Sequence, residues 1–426
     1  MRVLLVNKFH YHKGGAETYY FALAEGLRTA GHEVAFFSMK HPSNLPCAQE
    51  KYFVTQREYN GGTSPLKMVE DGVSLIYSRE AREKFDSLLR DFQPDIIHMN
   101  NVHRQITLSI LDAPYLREHR VPVVYTAHDY ILVCPAYTMV DGEEKVCDRC
   151  LGGRFGSCLR HRCVKSSLAK SALATAEAEF LKHHRSYDKI DLIIAPSRFM
   201  KEKLEEGGFA GRVVYLQNFL TDSQVAMGER CFDADKLSKP PYFLYFGRLT
   251  EVKGVVTLVR AFAEACRGGL PADWSLRIAG DGPERARIEQ IVADEGLQDR
   301  VELLGYLTGE PLQRQVGGAR FTVMPSEWRE NMPYSGLESL AAGTPVIGAR
   351  IGGIPDIVSD GETGLLFEAG NVEGLADSLR KAGKQFGDAP SYSLFQCSCL
   401  KYVQKYCRQS SYVGKLEGLY EGRANG

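Results

Sequence analysis

The sequence predicts an α/β protein of two doubly wound domains facing one another, each a parallel sheet with helices on both faces. Three observations predict it. The chain opens with a short apolar strand, a glycine-bearing loop, a helix and a second strand, which is how a βαβ series begins. The same alternation starts afresh after a polar stretch at 221–241. And 426 residues is long for one hydrophobic core but natural for two.

The elements follow in order. "RVLLVN" (2–7) is a continuous apolar run of the kind buried on both faces of a sheet. The loop "NKFHYHKGGAE" carries Gly14 and Gly15 and leads into a helix whose N-terminus points back at it. That makes either an anion site or simply a loop that needs flexible residues. It is not G-x-G-x-x-G, so the dinucleotide fingerprint is absent. "AETYYFALAEGLRTA" reads as a helix stopped by Gly31. "EVAFFS" (33–38), "PDIIHMN" (94–100), "VPVVYTAHD" (121–129) and a segment near 190–195 read as strands, and the residues between roughly 196 and 240 as the link. The second series runs "YFLYFGRL", helix 254–268, "SLRIAGDG", helix 283–296, "VELLGYL", helix 310–317, "ARFTVMPS", helix 335–342, "PVIGA". "EGLADSLRKAGKQF" and a segment from about 395 to 422 read as closing helices.

Composition narrows the function. Hydrophobic residues at 44% with 25% charged is the mix of a soluble globular protein. A formal net charge of −1 gives no overall basicity for nucleic acid. No run of about 18 apolar residues is present to span a membrane. The first apolar run is too short for a signal peptide, which predicts a cytoplasmic protein whose 11 cysteines are mostly reduced.

In open α/β sheets ligands bind beyond the carboxyl ends of strands, so the loops there hold the candidates. His128 and Asp129 emerge from the 121–127 strand. Arg248 and Lys253 flank a turn ahead of a helix at Gly254, a pairing of cations and helix N-terminus that suits a diphosphate, or else a pair of solvated cations. In "GDGPE", Gly280 and Gly282 make a tight turn and Pro283 fits the first helical position, which is architecture. "SEWRENMPYSGLESLAAGTPV" (326–346) holds Glu330 and Glu338 with seven residues between them. Ser335 and Glu338 fit a capping box, which would make Glu338 structural. Glu330 sits in an irregular loop, where Pro333 forces Met332 toward an extended conformation, and has no such local role. Glu327 and Arg329 read as bystanders.

Two further features stand apart. Cys147-x-x-Cys150 has metal-ligand spacing, with Cys134, Cys158 and Cys163 close in sequence: five candidates for a four-ligand site, or a reduced thiol cluster. Residues 154–185 carry Arg154, Arg160, Arg162, Lys165, Lys170, Lys182 and Arg185 against Glu177 and Glu179, a solvated face or a surface for anionic membrane.

Taken together, "GGAE", "YTAHD", "APSRFM", "GRLTEVKG", "IAGDGPE", "MPSEWRENMPYSGLESLAAGTPVIG" and "GGIPDIVSDGETGLLF" resemble glycosyltransferase family 4 over nearly the whole chain. The resemblance implies the GT-B fold of two Rossmann-like domains: 1–215 on the acceptor side with the cysteine-rich insertion 134–163, 216–395 for the nucleotide sugar, and a helical segment 396–426 that crosses back. It implies a retaining, metal-independent hexosyltransferase using a UDP- or GDP-sugar and a saccharide or lipid-linked acceptor in surface-polysaccharide assembly, peripheral on the inner face of the membrane. It implies that Glu338 binds the ribose, that Glu330 and His128 lie by the transferred sugar, and that Arg248 and Lys253 hold the diphosphate. Gly15 would approach the phosphates and acceptor, and Tyr306 the base. Similar insertions in part of the family imply a structural zinc on Cys134, Cys147, Cys150 and Cys163, with Cys158 left over. Asp233-Ala-Asp235 resembles the metal-binding motif of the other major transferase fold but falls in the predicted link. The rival readings are a nucleotide-sugar epimerase or phosphorylase of the same fold, and a non-catalytic nucleotide-sugar-binding protein.

Overall fold

A computed structural model describes residues 1–56, 72–232, 236–238, 240–385 and 389–424. The chain divides into two compact units, Met1–Leu216 with Ser410–Gly426, and Gln217–Gln409. Each is a six-stranded, wholly parallel sheet, the α/β class expected from the sequence.

In the first unit the strands are β1 (Arg2–Val6), β2 (Glu33–Phe37), β3 (Ile96–Met99), β4 (Val123–Thr126), β5 (Leu192–Ala195) and β6 (Val213–Tyr215), in the order β2-β1-β3-β4-β5-β6. From Val3 on, every residue of β1, and every residue of β3, β4 and β5, is buried, because helices cover both faces. The core gathers Leu4, Val6, Phe37, Phe85, Leu88 and Ile97 among others. The first helix, Gly15–Thr29, starts from an extended Gly14 with no side-chain cap. Its connection and the one that precedes β3 leave β1 and β3 as neighbours across the point where strand order reverses.

The second unit holds β7 (Tyr242–Phe246), β8 (Ser275–Ala279), β9 (Val301–Gly305), β10 (Phe321–Met324), β11 (Val346–Ala349) and β12 (Gly364–Phe367), ordered β12-β11-β10-β7-β8-β9. Here the reversal falls between β7 and β10, the crevice where doubly wound sheets bind ligands.

Residues 196–240 depart from the expected link. They form a helix at Arg198–Leu204, then β6, then a helix at Asp222–Cys231. That last helix carries a full capping box, Thr221 with Gln224. Polar composition hid it, although the Thr-x-x-Gln signal is in the sequence. Asp233-Ala-Asp235 lies outside the described residues. Pro283 sits in the turn rather than at the first helical position, the helix running Arg285–Asp294.

The last helix, Gln409–Ala424, belongs to the first unit, and its tyrosines are built into that core. The Tyr412 and Tyr19 hydroxyls are 2.6 Å apart, and the Tyr420 hydroxyl lies 2.5 Å from His98 Nδ1. Tyr19 and His98 in turn share Thr126 Oγ1, at 3.1 and 2.7 Å. A buried polar group needs such partners, so the network ties this helix to β3 and β4. Among the described residues no helix is long and apolar enough to cross a membrane.

All 11 histidines fall in the first unit. Burial pushes His10 down to about 4 and His98, His103 and His128 down to about 3. A histidine whose folded pKa is depressed contributes stability that is full above its unfolded value of about 6.5 and is lost as pH falls through the folded value. Burial raises Asp129 and Glu177, which oppose this, but the four histidines outnumber them. Between pH 6.5 and 4 the first unit should therefore weaken while the second does not. Hydrogen exchange, corrected for its intrinsic pH dependence, should show β1, β3 and β4 losing protection before β7 and β10. Equal losses in both sheets would refute this.

Candidate active site

The carboxyl ends of β7 and β10 bring the best-defined charges together. After β7 the chain turns at Gly247, and the Tyr245 hydroxyl donates to the Arg248 carbonyl at 2.7 Å. The Arg248 guanidinium is exposed and, among the described residues, has no hydrogen bond or ion pair. A single 3-10 turn, Glu251–Lys253, leads through Gly254 at φ +66° into the helix Val255–Arg267. A Cβ on Gly254 would strike the Pro325 carbonyl, so only glycine lets the loop after β10 come this close.

From that loop Glu330 meets Lys253. Lys253 Nζ lies 2.5 Å from Glu330 Oε1, and the Ser326 hydroxyl donates to the same oxygen at 2.8 Å. Glu330 is 6% exposed. Its Oε2 has no partner among the described residues. Behind it, the Gly353 N–H donates to the Glu330 carbonyl at 2.7 Å, and Gly352, at φ +57°, packs where a Cβ would collide with that carbonyl. The "GGIPD" segment thus frames Glu330. Lys253 Nζ stands 5.5 Å from the centre of the Trp328 ring, whose buried Nε1–H has no partner among the described residues. Glu327 is no bystander: it accepts from the Thr257 hydroxyl, and its N–H donates to the Val252 carbonyl at 2.9 Å, stapling the loop to the neighbouring helix.

Glu338 is not a capping residue. Pro333 itself is the N-cap, at φ −72° and ψ 126°, so the helix runs Tyr334–Ala341 and Ser335 falls inside its first turn. The Ser335 carbonyl accepts from Ser339, and no side chain caps the helix. Glu338 is released for another use. Burial pushes its carboxyl up to about 7, opposed by a hydrogen bond with the Gln224 side chain. Tyr306 follows β9, two strands along the sheet from β7, and is 78% exposed.

In the first unit Gly15 opens the helix that follows β1. His128, just past β4, is fixed by Asn100. The Asn100 amide NH2 points to the Val6 carbonyl at 3.4 Å, which leaves Oδ1, 2.9 Å from His128 Nε2, as the acceptor. Nε2 therefore carries the hydrogen, and Nδ1 of this neutral imidazole is left as an acceptor. Tyr19 packs edge-on against the ring, centroids 4.9 Å apart. Asn7 holds the adjoining loops, donating to Glu17 Oε1 at 3.1 Å and accepting from the Asn101 N–H at 3.1 Å. The sequence reading passed over Asn100, Ser326, Tyr245 and Gln224. Asn100 and Gln224 act through partners distant in sequence, His128 and Glu338, while Tyr245 and Ser326 act three and four residues along, on Arg248 and Glu330.

The cysteines of the insertion are near neighbours. Burial first, then the nearby thiols, raise Cys134 to about 11, Cys158 to about 12, and Cys150 further. They do not present a metal-ligand group: among the described residues no three or more His, Cys, Asp or Glu side chains are placed to hold an ion. Cys134, Cys147, Cys150 and Cys163, the implied zinc set, are thus neighbours not gathered into one ligand group in this structure.

Comparisons with known proteins bear on the family and the fold. The family model described as Glycosyltransferase Family 4 matches residues 13–223, and that of the Glycosyl transferases group 1 matches residues 230–385. The chain is 30% identical to the alpha-D-kanosaminyltransferase of Streptomyces kanamyceticus over 145 residues, which is 34% of this chain and only 37% of that protein. It is 28% identical to the D-inositol 3-phosphate glycosyltransferase of Pseudarthrobacter chlorophenolicus over 376 residues, 86% of this chain and 81% of that one. Among solved structures, Anabaena HepE in complex with UDP shares the fold, with a TM-score of 0.65 at 16% identity, covering 99% of this chain and 100% of the other.

The Lys253–Glu330 pair makes a stability prediction. Lys253→Met strands a buried carboxylate with only Ser326, and should cost the second unit about 2 kcal/mol. Adding Glu330→Gln to that variant removes the charge and should restore most of it. Both tryptophans, Trp274 and Trp328, lie in the second unit, so urea unfolding followed by their fluorescence reads the effect there. An unchanged midpoint in Lys253→Met would count against the pair.

Proposed function

The chain belongs to glycosyltransferase family 4, and from that premise we propose that it is a retaining hexosyltransferase. Its donor is a UDP- or GDP-sugar, and its acceptor a saccharide or lipid-linked saccharide of a surface polysaccharide. The observation that carries the proposal is the cluster at the β7/β10 crevice: an uncommitted Arg248, Lys253 at the head of a helix, and Glu330 held with one oxygen open.

The chemistry follows from charge. As the bond from the anomeric carbon to the diphosphate breaks, negative charge collects on the phosphate. Arg248, Lys253 and the first N–H groups of the helix Val255–Arg267 supply the matching positive field, and the orphan Trp328 N–H a further donor. Glu330 is already bound by Lys253 and Ser326, which suits orienting a sugar hydroxyl through Oε2 better than attacking carbon. That favours front-face transfer. The acceptor hydroxyl bonds to the anomeric carbon on the side the phosphate leaves, and the phosphate oxygen takes its proton. His128, at the position the family sets beside the donor sugar, offers Nδ1 as a hydroxyl acceptor. Glu338 as a carboxylate accepts from the ribose diol. UDP held by the Anabaena protein of the same fold makes uridine nucleotides the first donors to test.

Calorimetry with UDP and GDP, followed by transfer and hydrolysis assays with a panel of their hexoses, tests this. Arg248→Ala should weaken nucleotide binding about 10- to 100-fold, the range of a charge-assisted hydrogen bond. Glu330→Ala should abolish turnover with nucleotide still bound. Because Glu338 must ionise to accept the ribose and its pKa is about 7, wild-type affinity should rise from pH 6 to 8 more steeply than that of Glu338→Gln. Absence of nucleotide binding by the wild type would overturn the proposal.

Peripheral contact with anionic membrane belongs to the same proposal. Arg160, Arg162, Lys165 and Lys170 are exposed and unpaired among the described residues, beside a Leu168 that is 56% exposed. By contrast Lys182 donates to the Gly153 carbonyl, Arg185 pairs with Asp188, and Glu177 is buried against Arg104. Vesicles containing phosphatidylglycerol should bind the protein at low salt, release it as salt rises, and fail to bind a variant with all four cations changed to Glu. Binding indifferent to salt and lipid charge would remove this part.

A further inference from the structure

The first unit has its own strand-order reversal, between β1 and β3, and a cavity of about 270 Å3 opens there. Lys8 follows β1, and Asn101, His103 and Arg104 follow β3. Asp129 and Ile131 follow β4, and Tyr137 closes the wall. Arg104 and Tyr137 both hold left-handed backbone, at φ +69° and +58°, an uncommon conformation for side chains of this size, so the surroundings dictate their placement.

The polar groups in this wall are only half satisfied. The Lys8 ammonium has no hydrogen bond or ion pair among the described residues, and its nitrogen lies 5.4 Å from the centre of the Phe9 ring. Asp129 accepts through Oδ1 from the Ile131 N–H at 3.0 Å, and Oδ2 has no partner among the described residues. The two do not pair with one another. Asn101 Oδ1 is buried without a donor. Arg104 is engaged by Glu177 at 3.0 Å and by the Pro135 carbonyl at 2.8 Å, so it adds little free charge. His103 Nε2 is spent on the Tyr187 hydroxyl at 3.1 Å. Of these atoms the Asn101 oxygen is the buried orphan, which costs free energy until a ligand supplies its donor.

We propose that this cavity binds a single neutral sugar ring, with Lys8 donating to ring hydroxyls and Asp129 Oδ2 and Asn101 Oδ1 accepting from them. On the transferase reading, on which this assignment rests, the ring is the acceptor's. The volume is just below the roughly 300–1,000 Å3 of sites for drug-sized molecules and suits one ring. The opposed charges choose its chemistry. A phosphate or carboxylate would gain Lys8 but be set against the Asp129 carboxylate. A polyol satisfies a donor and an acceptor at once, and lays its C–H face on Ile131 and Tyr137. Burial lowers the Lys8 pKa and raises that of Asp129, a balance that hydroxyl groups tolerate better than a second charge does.

Saturation-transfer NMR on the full chain, with methyl glucoside, methyl galactoside, methyl mannoside and methyl N-acetylglucosaminide against the corresponding sugar 1-phosphates, tests this. At least one neutral glycoside should show transfer, weakened about tenfold or more in Asp129→Asn and in Lys8→Met, with no gain for its phosphate. Tyr137→Ala, at a residue 40% exposed, supplies a variant whose folding is not at issue and should also weaken the signal. Preferred binding of the phosphates, or unchanged transfer in all three variants, would overturn the assignment. UDP binding measured on the same samples separates the two ideas. Variants that keep UDP and lose the glycoside support the cavity, wild type that binds glycoside but no nucleotide defeats the transferase reading alone, and wild type that binds UDP but no glycoside defeats the cavity alone.

Discussion

A wholly parallel sheet sends every strand's carboxyl end to the same edge, and where two adjacent strands send their crossovers to opposite faces that edge stays open. This constraint operates twice here, between β1 and β3 and between β7 and β10. Almost every side chain with evident chemistry follows one of those strands or its neighbour: Lys8, Asn100, Asn101, His128 and Asp129 in one unit, Arg248, Lys253, Ser326 and Glu330 in the other. The sheets need their interiors buried on both faces, which restricts polar chemistry to the loops that leave them.

At the β7/β10 crevice the glycines act through what they let approach. Gly254 admits the Pro325 carbonyl, and Gly352 admits the backbone of Glu330. With those approaches made, Lys253 and Ser326 converge on one oxygen of Glu330 and leave the other open. A carboxylate so held keeps its orientation, at the cost of freedom to act as a nucleophile. Glu338 is the opposite case, a carboxyl that burial lifts to about 7 with only the Gln224 side chain opposing. Two acids with seven residues between them thus have different partners and surroundings, and different uses follow.

The two units also differ in how acid affects them. Every histidine lies in one and both tryptophans in the other. In the first unit, neutral imidazoles at His98 and His128 are packed into hydrogen-bonded networks with Thr126, Tyr420 and Asn100, so protonation there works against the fold. The last helix enters that network through Tyr412 and Tyr420, and the chain's final turns stabilise the strand that precedes His128.

Local pattern encodes a good part of this fold. The strand runs, the helix breaks and the order of motifs sufficed for two α/β units, and Arg248, Lys253 and Glu330 were recognisable because each lies in a short segment tied to a strand end. Where local signals competed, the sequence misled. A Ser-x-x-Glu pattern suggested a capping box that Pro333 pre-empts, and a polar stretch concealed the helix that supplies Gln224. Packing at long range is what pairs Lys253 with Glu330, sets the tautomer of His128 through Asn100, and puts Lys8 and Asp129 in one cavity without an ion pair between them. Those are meetings of residues 77, 28 and about 120 positions apart. Such distances are spanned by strand order, and strand order is set by packing that no local window of sequence contains.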